Sequence, residues 1–145
     1  MNLQIKRIDR SLPLPIYHTK GSVAFDLYCR TTNEVKPFQP IIIPLNLIVK
    51  IPKGYFLLLV PRSSLSLKKN LMIANGIGVI DQDYHGDEDE VGLQVLNFSK
   101  EPVVVKRGER IAQAILVKIA KASKFIAKKS LAKKSRGGWG STDRH

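Results

Sequence analysis

A chain of 145 residues, 43% of them hydrophobic, is long enough to bury one substantial core and short enough to form one domain. It has no apolar run of the roughly eighteen residues that a membrane-spanning helix needs. The single Cys29 excludes an internal disulfide and fits a reducing compartment. Met1–Arg7 alternates apolar and polar residues and lacks the apolar centre of a secretory signal. A cytoplasmic protein without a membrane partner is therefore expected.

In chain order, strand signals dominate. Leu3, Ile5 and Ile8 suggest an opening strand, and Pro13 and Pro15 then stop regular pairing. Ser22–Cys29 reads as a short strand with one acid, Asp26, inside it. Pro37 and Pro40 bracket a loop. Ile41–Ile43 and Leu45–Ile51 are near-continuous apolar runs of the kind buried on both faces. Pro52-Lys53-Gly54 is a turn, Tyr55–Val60 another buried strand, and Ser64–Lys69 a candidate short helix. Leu71–Ala74 and Ile77–Ile80 flank the turn pair Asn75-Gly76, which suggests a hairpin running to Tyr84. After the acidic turn Asp87–Glu90, Val91–Phe98 and Val103–Val105 read as strands.

Arg110–Ala120 fits two periods. Ile111, Ile115 and Ile119 lie at helical spacing, while Ile111, Gln113, Ile115, Val117 and Ile119 share one face of a strand. Its β-branched content and its place after a run of strands favour strand. Many short strands separated by Gly/Pro turns indicate an all-β sandwich or barrel with at most one short helix.

From Lys121 to Ser135 the chain becomes Lys, Ala and Ser, with Phe125, Ile126 and Leu131 as its substantial apolar groups. This reads as a mobile linker with nascent helix. Residues 136–145 then carry Arg136-Gly-Gly-Trp-Gly-Ser-Thr142, a terminal arm of the kind that is either inert or closes over something. The expected organisation is a body over 1–120, a linker over 121–135 and an arm over 136–145. Net charge is +12, and residues 118–145 hold nine Lys/Arg against one acid, Asp143. Such a tail suits nucleic acid or other polyanions, and equally a solvated arm that draws in a phosphorylated small molecule.

The chemistry-bearing residues cluster in a few places. Ile80 leads directly into Asp81, with Asp83, Tyr84 and His85 behind it. If the segment stays extended, Asp81 and Asp83 share a face; a polar loop end is the plain alternative. Arg62-Ser63-Ser64 leaves a strand at a possible helix start, where free N–H groups suit an anion or where a serine simply caps the helix. Arg110 and Gln113 follow the turn at Gly108, and Arg136, Ser141 and Thr142 add donors on the arm. Phosphate recognition needs many such donors around a small volume. A base needs an aromatic face and edge-on hydrogen bonds, which Trp139 and the segment Asn75–Tyr84 offer. There is no zinc spacing of Cys and His, no Walker loop and no G-x-S-x-G. His18, His85 and His145 have no evident partner, and Asp87–Glu90 reads as a solvated turn rather than a Mg²⁺ site.

Five segments, in order, resemble the motifs of the homotrimeric deoxyuridine triphosphatases. They are Ala24-Phe-Asp-Leu-Tyr28, Pro61-Arg-Ser-Ser-Leu65, Gly78-Val-Ile-Asp-Gln-Asp-Tyr-His-Gly86, Gly108-Glu-Arg-Ile-Ala-Gln113 and Arg136-Gly-Gly-Trp-Gly-Ser-Thr142. The resemblance implies a β jelly roll (β-clip) that assembles as a homotrimer. Each site would draw on more than one subunit and be closed by a mobile C-terminal arm. It implies the reaction dUTP + H₂O → dUMP + diphosphate, with Mg²⁺ carried on the triphosphate. Asp81 is then the general base that activates water against the α-phosphorus. Tyr84 packs beneath the deoxyribose and excludes a 2′-hydroxyl. Asn75 and the main chain near Val79, Ile80 and Gly92 read the uracil edge. Arg62, Ser63, Ser64 and Gln113 hold phosphates. Arg136, Ser141 and Thr142 close on the β- and γ-phosphates while Trp139 stacks on uracil. Asp26 contacts Mg²⁺ through water.

Trp139 stands where that family usually has Phe, Ser64 where it usually has Gly, and the linker is Lys-rich where it is commonly acidic. Ser64 points to a second reading, the dCTP deaminases of the same fold. Their catalytic Glu would fall, counted back from Asn97, on Gln94, and an amide cannot shuttle the protons of deamination. A third reading is a basic nucleic-acid-binding protein on this scaffold, acting through the Lys-rich tail. It would need a damaged catalytic motif, whereas Asp81, Arg62 and Gln113 are in place.

Overall fold

Among the described residues, eleven short strands and one helix of a single turn follow one another. The computed structural model describes residues 1–135 together with Gly137 and Gly138. The strands are β1 (Gln4–Arg7), β2 (Phe25–Leu27), β3 (Asn33–Val35), β4 (Ile41–Pro44), β5 (Leu47–Lys50), β6 (Tyr55–Pro61), β7 (Leu71–Ile73), β8 (Gly78–Ile80), β9 (Gly92–Asn97), β10 (Val103–Val105) and β11 (Ala112–Lys118). Helix α1 (Leu65–Lys69) follows β6. Asn70 ends it in the left-handed region at φ 53°, a conformation Asn tolerates.

Two larger antiparallel sheets organise the body, in the orders β2-β11-β6-β8 and β4-β9-β7. The antiparallel pairs β1-β5 and β3-β10 complete it. This is a jelly-roll arrangement of antiparallel strands, as expected. The core draws Phe25 and Leu27 from β2, Leu57 and Leu59 from β6 and Ala112 and Ala114 from β11. It meets Ile43, Leu71, Leu93 and Val95 of the other sheet in one cluster. β9 shows the period of a half-buried strand, with Leu93, Val95 and Asn97 buried and the residues between them partly exposed.

Several expectations need correction. Arg110–Ala120 does resolve to strand, β11. Its core-facing residues are the small Ala112 and Ala114, which leaves Gln113 on the opposite face. The strand expected over Ser22–Cys29 shrinks to β2, and β3 carried no clear sequence signal. The hairpin expected around Asn75-Gly76 does not form: β7 pairs with β9 while β8 pairs with β6. The turn therefore carries the chain from one sheet to the other. Gly78 explains part of this, because a Cβ there would sit 2.9 Å from Leu59 Cβ, too close for β8 to lie against β6. Beyond Ile80 the extended conformation ends in a turn in which Tyr84 N–H donates to Asp81 O at 3.3 Å. Asp81 and Asp83 are not two residues of one strand face.

Candidate active site

Register brings three distant segments to one corner. Asp26 of β2 and Gln113 of β11 are direct cross-strand partners, so their side chains stand on the same face. β11 also pairs with β6, Ala112 opposite Pro61, which sets Arg62 beside them. The Arg62 N–H donates to Ile111 O at 3.0 Å and fixes the backbone there.

Asp26 is only 5% exposed. A carboxylate so buried needs charged or hydrogen-bonding partners. Arg62 Nε lies 3.2 Å from Oδ1, and Arg110 Nη1 and His18 Nε2 lie 3.2 and 3.0 Å from Oδ2. Arg62 Nη1 also reaches Arg110 O at 3.4 Å, and the Gln113 amide donates to Pro61 O at 3.0 Å. With Ser22, Ala24 and Ser63 these groups line a cavity of about 320 Å³. Two guanidiniums around one carboxylate leave a surplus of positive charge and unused N–H donors. That is the chemistry of an anion site. Ser64 occupies the N-cap position of α1 but makes no side-chain capping bond, so its hydroxyl is not committed to the helix. His18, which has no partner in sequence terms, belongs to this cluster.

A second cluster lies elsewhere. β8 is the last strand of its sheet, so one edge of its backbone is unpaired. Val79, Ile80, Asn75 and Gly92 line a cleft of about 200 Å³, together with Gln94. Gly92 is required there: a Cβ would lie 2.5 Å from Ile42 Cγ2. A narrow cleft walled by backbone can read a flat ligand through main-chain N–H and C=O groups. Asp81 follows β8 immediately and is exposed. The Tyr84 hydroxyl donates to Glu90 O at 3.3 Å, which leaves its ring 42% exposed.

The loop behind Tyr84 is tied down. Lys6 Nζ meets Asp87 at 2.7 Å, Gly86 N–H donates to Asp89 at 2.6 Å, and Arg30 grips Glu90 through two nitrogens at 2.8 Å. The expectation of a solvated acidic turn holds for Asp87 and Glu88, which are exposed, whereas Glu90 is drawn in by Arg30. Among the described residues no group of three His, Cys, Asp or Glu could hold a metal ion. Both oxygens of Asp26 already face cationic donors, so this carboxylate does not suit direct metal ligation.

Within one chain Asp81 stays apart from the anion cavity, although the Gly76 end of the cleft lies beside Arg62 and Ser63. Ile80 pairs with Leu57, whereas Arg62 leaves the far end of β6. At about 3.3 Å per residue, Asp81 and Arg62 are separated by roughly 20 Å along the strand. Arg136, Trp139, Ser141 and Thr142 lie outside the described residues.

A sequence model of the dUTPase family matches residues 10–143. The chain belongs to the dUTPase family. It is 38% identical to the deoxyuridine 5′-triphosphate nucleotidohydrolase of Dictyoglomus turgidum over 143 residues, 95% of each chain. To the Aquifex aeolicus protein of the same name it is 42% identical over 121 residues, covering 81% of this chain and 79% of that one. Among solved structures, the dUTPase of Streptococcus mutans superposes with a TM-score of 0.76 at 25% identity, covering 83% of this chain and 98% of that one. The Staphylococcus bacteriophage 80alpha dUTPase, solved with dUPNHPP, gives a TM-score of 0.78 at 26% identity over 97% of each chain. The dUTPase resemblance read from the five motifs therefore holds. Cys29, by contrast, takes no part in either dUTPase cluster: it is buried, and burial pushes its thiol up to about 12. No helix among the described residues is long and apolar enough to cross a membrane.

Proposed function

We propose that this chain hydrolyses dUTP to dUMP and diphosphate by attack of water on the α-phosphorus. Beyond family membership, the observation that carries the proposal is the division of the chain into a guanidinium-rich anion cavity and a backbone-lined cleft that ends in a free carboxylate. The cavity of Arg62, Ser63 and Gln113, with Ser64 beside it, suits a triphosphate. The cleft of Asn75, Val79, Ile80 and Gly92 suits the edge of uracil and is too narrow to welcome a 5-methyl group. Tyr84, held by Glu90, offers its ring to the deoxyribose and leaves no room for a 2′-hydroxyl.

Asp81 is the general base. It is exposed, so water can reach its carboxylate to be oriented and deprotonated. Phosphoryl transfer asks chiefly for positioning and for charge stabilisation on the leaving diphosphate, which Arg62 and Gln113 supply. Mg²⁺ would belong to the substrate, carried on the triphosphate, where it would offset phosphate charge; Asp26, whose oxygens already face Arg62 and Arg110, would contact it only through water. Arg136, Ser141, Thr142 and Trp139 close the site from the arm over 136–145. The linker over 121–135 lets that arm reach from the body over 1–120.

Because Asp81 and the anion cavity lie at opposite ends of β6, we infer that the working site forms between copies of the chain, in a homotrimer. One copy supplies Arg62 and Gln113, another supplies Asp81 and the cleft. A nucleotide panel tests the reaction: with Mg²⁺, dUTP yields diphosphate, while UTP, dTTP and dCTP do not. Ammonia from dCTP, or no turnover of dUTP, would overturn it.

A further inference from the structure

Of the fifteen Lys and Arg in residues 1–117, six meet a carboxylate: Lys6 with Asp87, Arg30 with Glu90, Arg62 and Arg110 with Asp26, Lys69 with Glu109, and Arg107 with Asp9. The segment after β11 holds a denser run of cations with no acid among them. Between Lys121 and Lys134 there are six lysines and no acid. All of residues 120–135 are exposed and none lies in a strand or helix. Among the described residues none of these lysines makes an ion pair. Phe125 and Leu131, interleaved with them, are 91% and 85% exposed.

A solvated run of like charge attracts polyanions, and its pattern narrows the choice. A membrane-surface helix needs its cations on one face and its apolar groups on the other. Here no such face exists. On a helix Lys121 and Lys128 flank Phe125, and Lys128 and Lys134 sit beside Leu131. On an extended chain Lys121, Lys129 and Lys133 project to one side and Lys124, Lys128 and Lys134 to the other. Cations on every side, with one open aromatic among them, match a flexible phosphodiester chain whose bases are free to stack.

We propose that residues 121–134 bind single-stranded nucleic acid through phosphate contacts from the lysines and stacking on Phe125. The dUTP-hydrolysing body is thereby tethered to a polynucleotide by a surface separate from both clusters. With six phosphate contacts, affinity falls with salt at a log–log slope of about −4, or about two and a half orders of magnitude between 50 and 200 mM.

The test uses the full-length chain and a labelled oligothymidylate, read by fluorescence anisotropy across that salt range. Salt-steep binding that survives saturating dUMP is expected. Changing all six lysines to Gln removes it, changing them to Arg keeps it, and Phe125→Ala weakens it several-fold. Unchanged binding by the Gln variant would overturn the proposal, as would displacement by dUMP. So would tighter binding to duplex, or binding only to anionic lipid vesicles. A thermal melt of the Gln variant that matches the parent's establishes that the variant is folded.

Discussion

His18 Nε2 lies 3.0 Å from Asp26 Oδ2 and 2.7 Å from Arg110 Nη1. One ring nitrogen cannot donate to the carboxylate and accept from the guanidinium at once. His18 therefore supports one or the other, and in either case it limits where Arg110 and Asp26 can stand at the wall of the anion cavity. It is a positioning residue. His18→Ala is expected to raise KM for dUTP about tenfold with a smaller change in kcat, the equivalent of about 1.5 kcal/mol for a hydrogen bond to a charged group. His18→Gln, which restores a donor and an acceptor, recovers most of the loss. A melting temperature that falls while KM stays unchanged would assign His18 to stability instead.

Gly92 carries a steric prediction. A Cβ there meets Ile42 Cγ2 at 2.5 Å, in the wall of the proposed uracil cleft. Gly92→Ala should destabilise the body by about 1–3 kcal/mol, which for a chain of this size lowers Tm by roughly 3–10 °C. Ile42 is 68% exposed, so truncating it costs little by itself. The double variant Gly92→Ala with Ile42→Ala should recover much of the lost stability, since the two residues touch. Additive losses in thermal melts would contradict this.

Much of this was legible in the sequence. The alternation in β9 and the apolar runs of β5 and β6 announce themselves, because side-chain period and burial are local facts. The five motifs fix the family. What sequence could not give is which strands become neighbours. Asn75-Gly76 has the chemistry of a hairpin turn, yet β7 and β8 join different sheets, a choice made by packing against Leu59 and β9. His18 was opaque for the same reason, since its partners are reached only when β2 docks on β11. The grip of Arg30 on Glu90 was opaque too, because the two are sixty residues apart.

Asp9 supplies a pH dependence. Hydrogen bonds from Ser11 and then from Arg107 hold its carboxyl at about 2, below the ordinary value. Unfolded, the group titrates near 3.9. A folded pKa below the unfolded one means that the charged form stabilises the fold. That contribution is complete above about pH 4 and is lost as pH falls towards 2. Asp9→Asn should therefore lower the urea midpoint at pH 6, and the difference from the parent should shrink steadily between pH 4 and 2. A difference that does not change with pH would show that the bonds, rather than the charge, matter.

The central claim is that Asp81 of one copy works with Arg62 of another. Asp81→Asn should reduce kcat about 10²–10⁴-fold, as loss of a general base does, while dUTP still binds. Arg62→Ala should be similarly inactive through loss of phosphate contacts. The decisive measurement unfolds the two inactive variants together in equal amounts, refolds them and assays dUTP turnover. If each site takes Asp81 and Arg62 from different copies, random assembly leaves about a quarter of the sites with both residues, and activity returns to about that fraction of the parent. If both residues of a site come from the same chain, every site retains a lesion, and no activity above that of the separate variants appears.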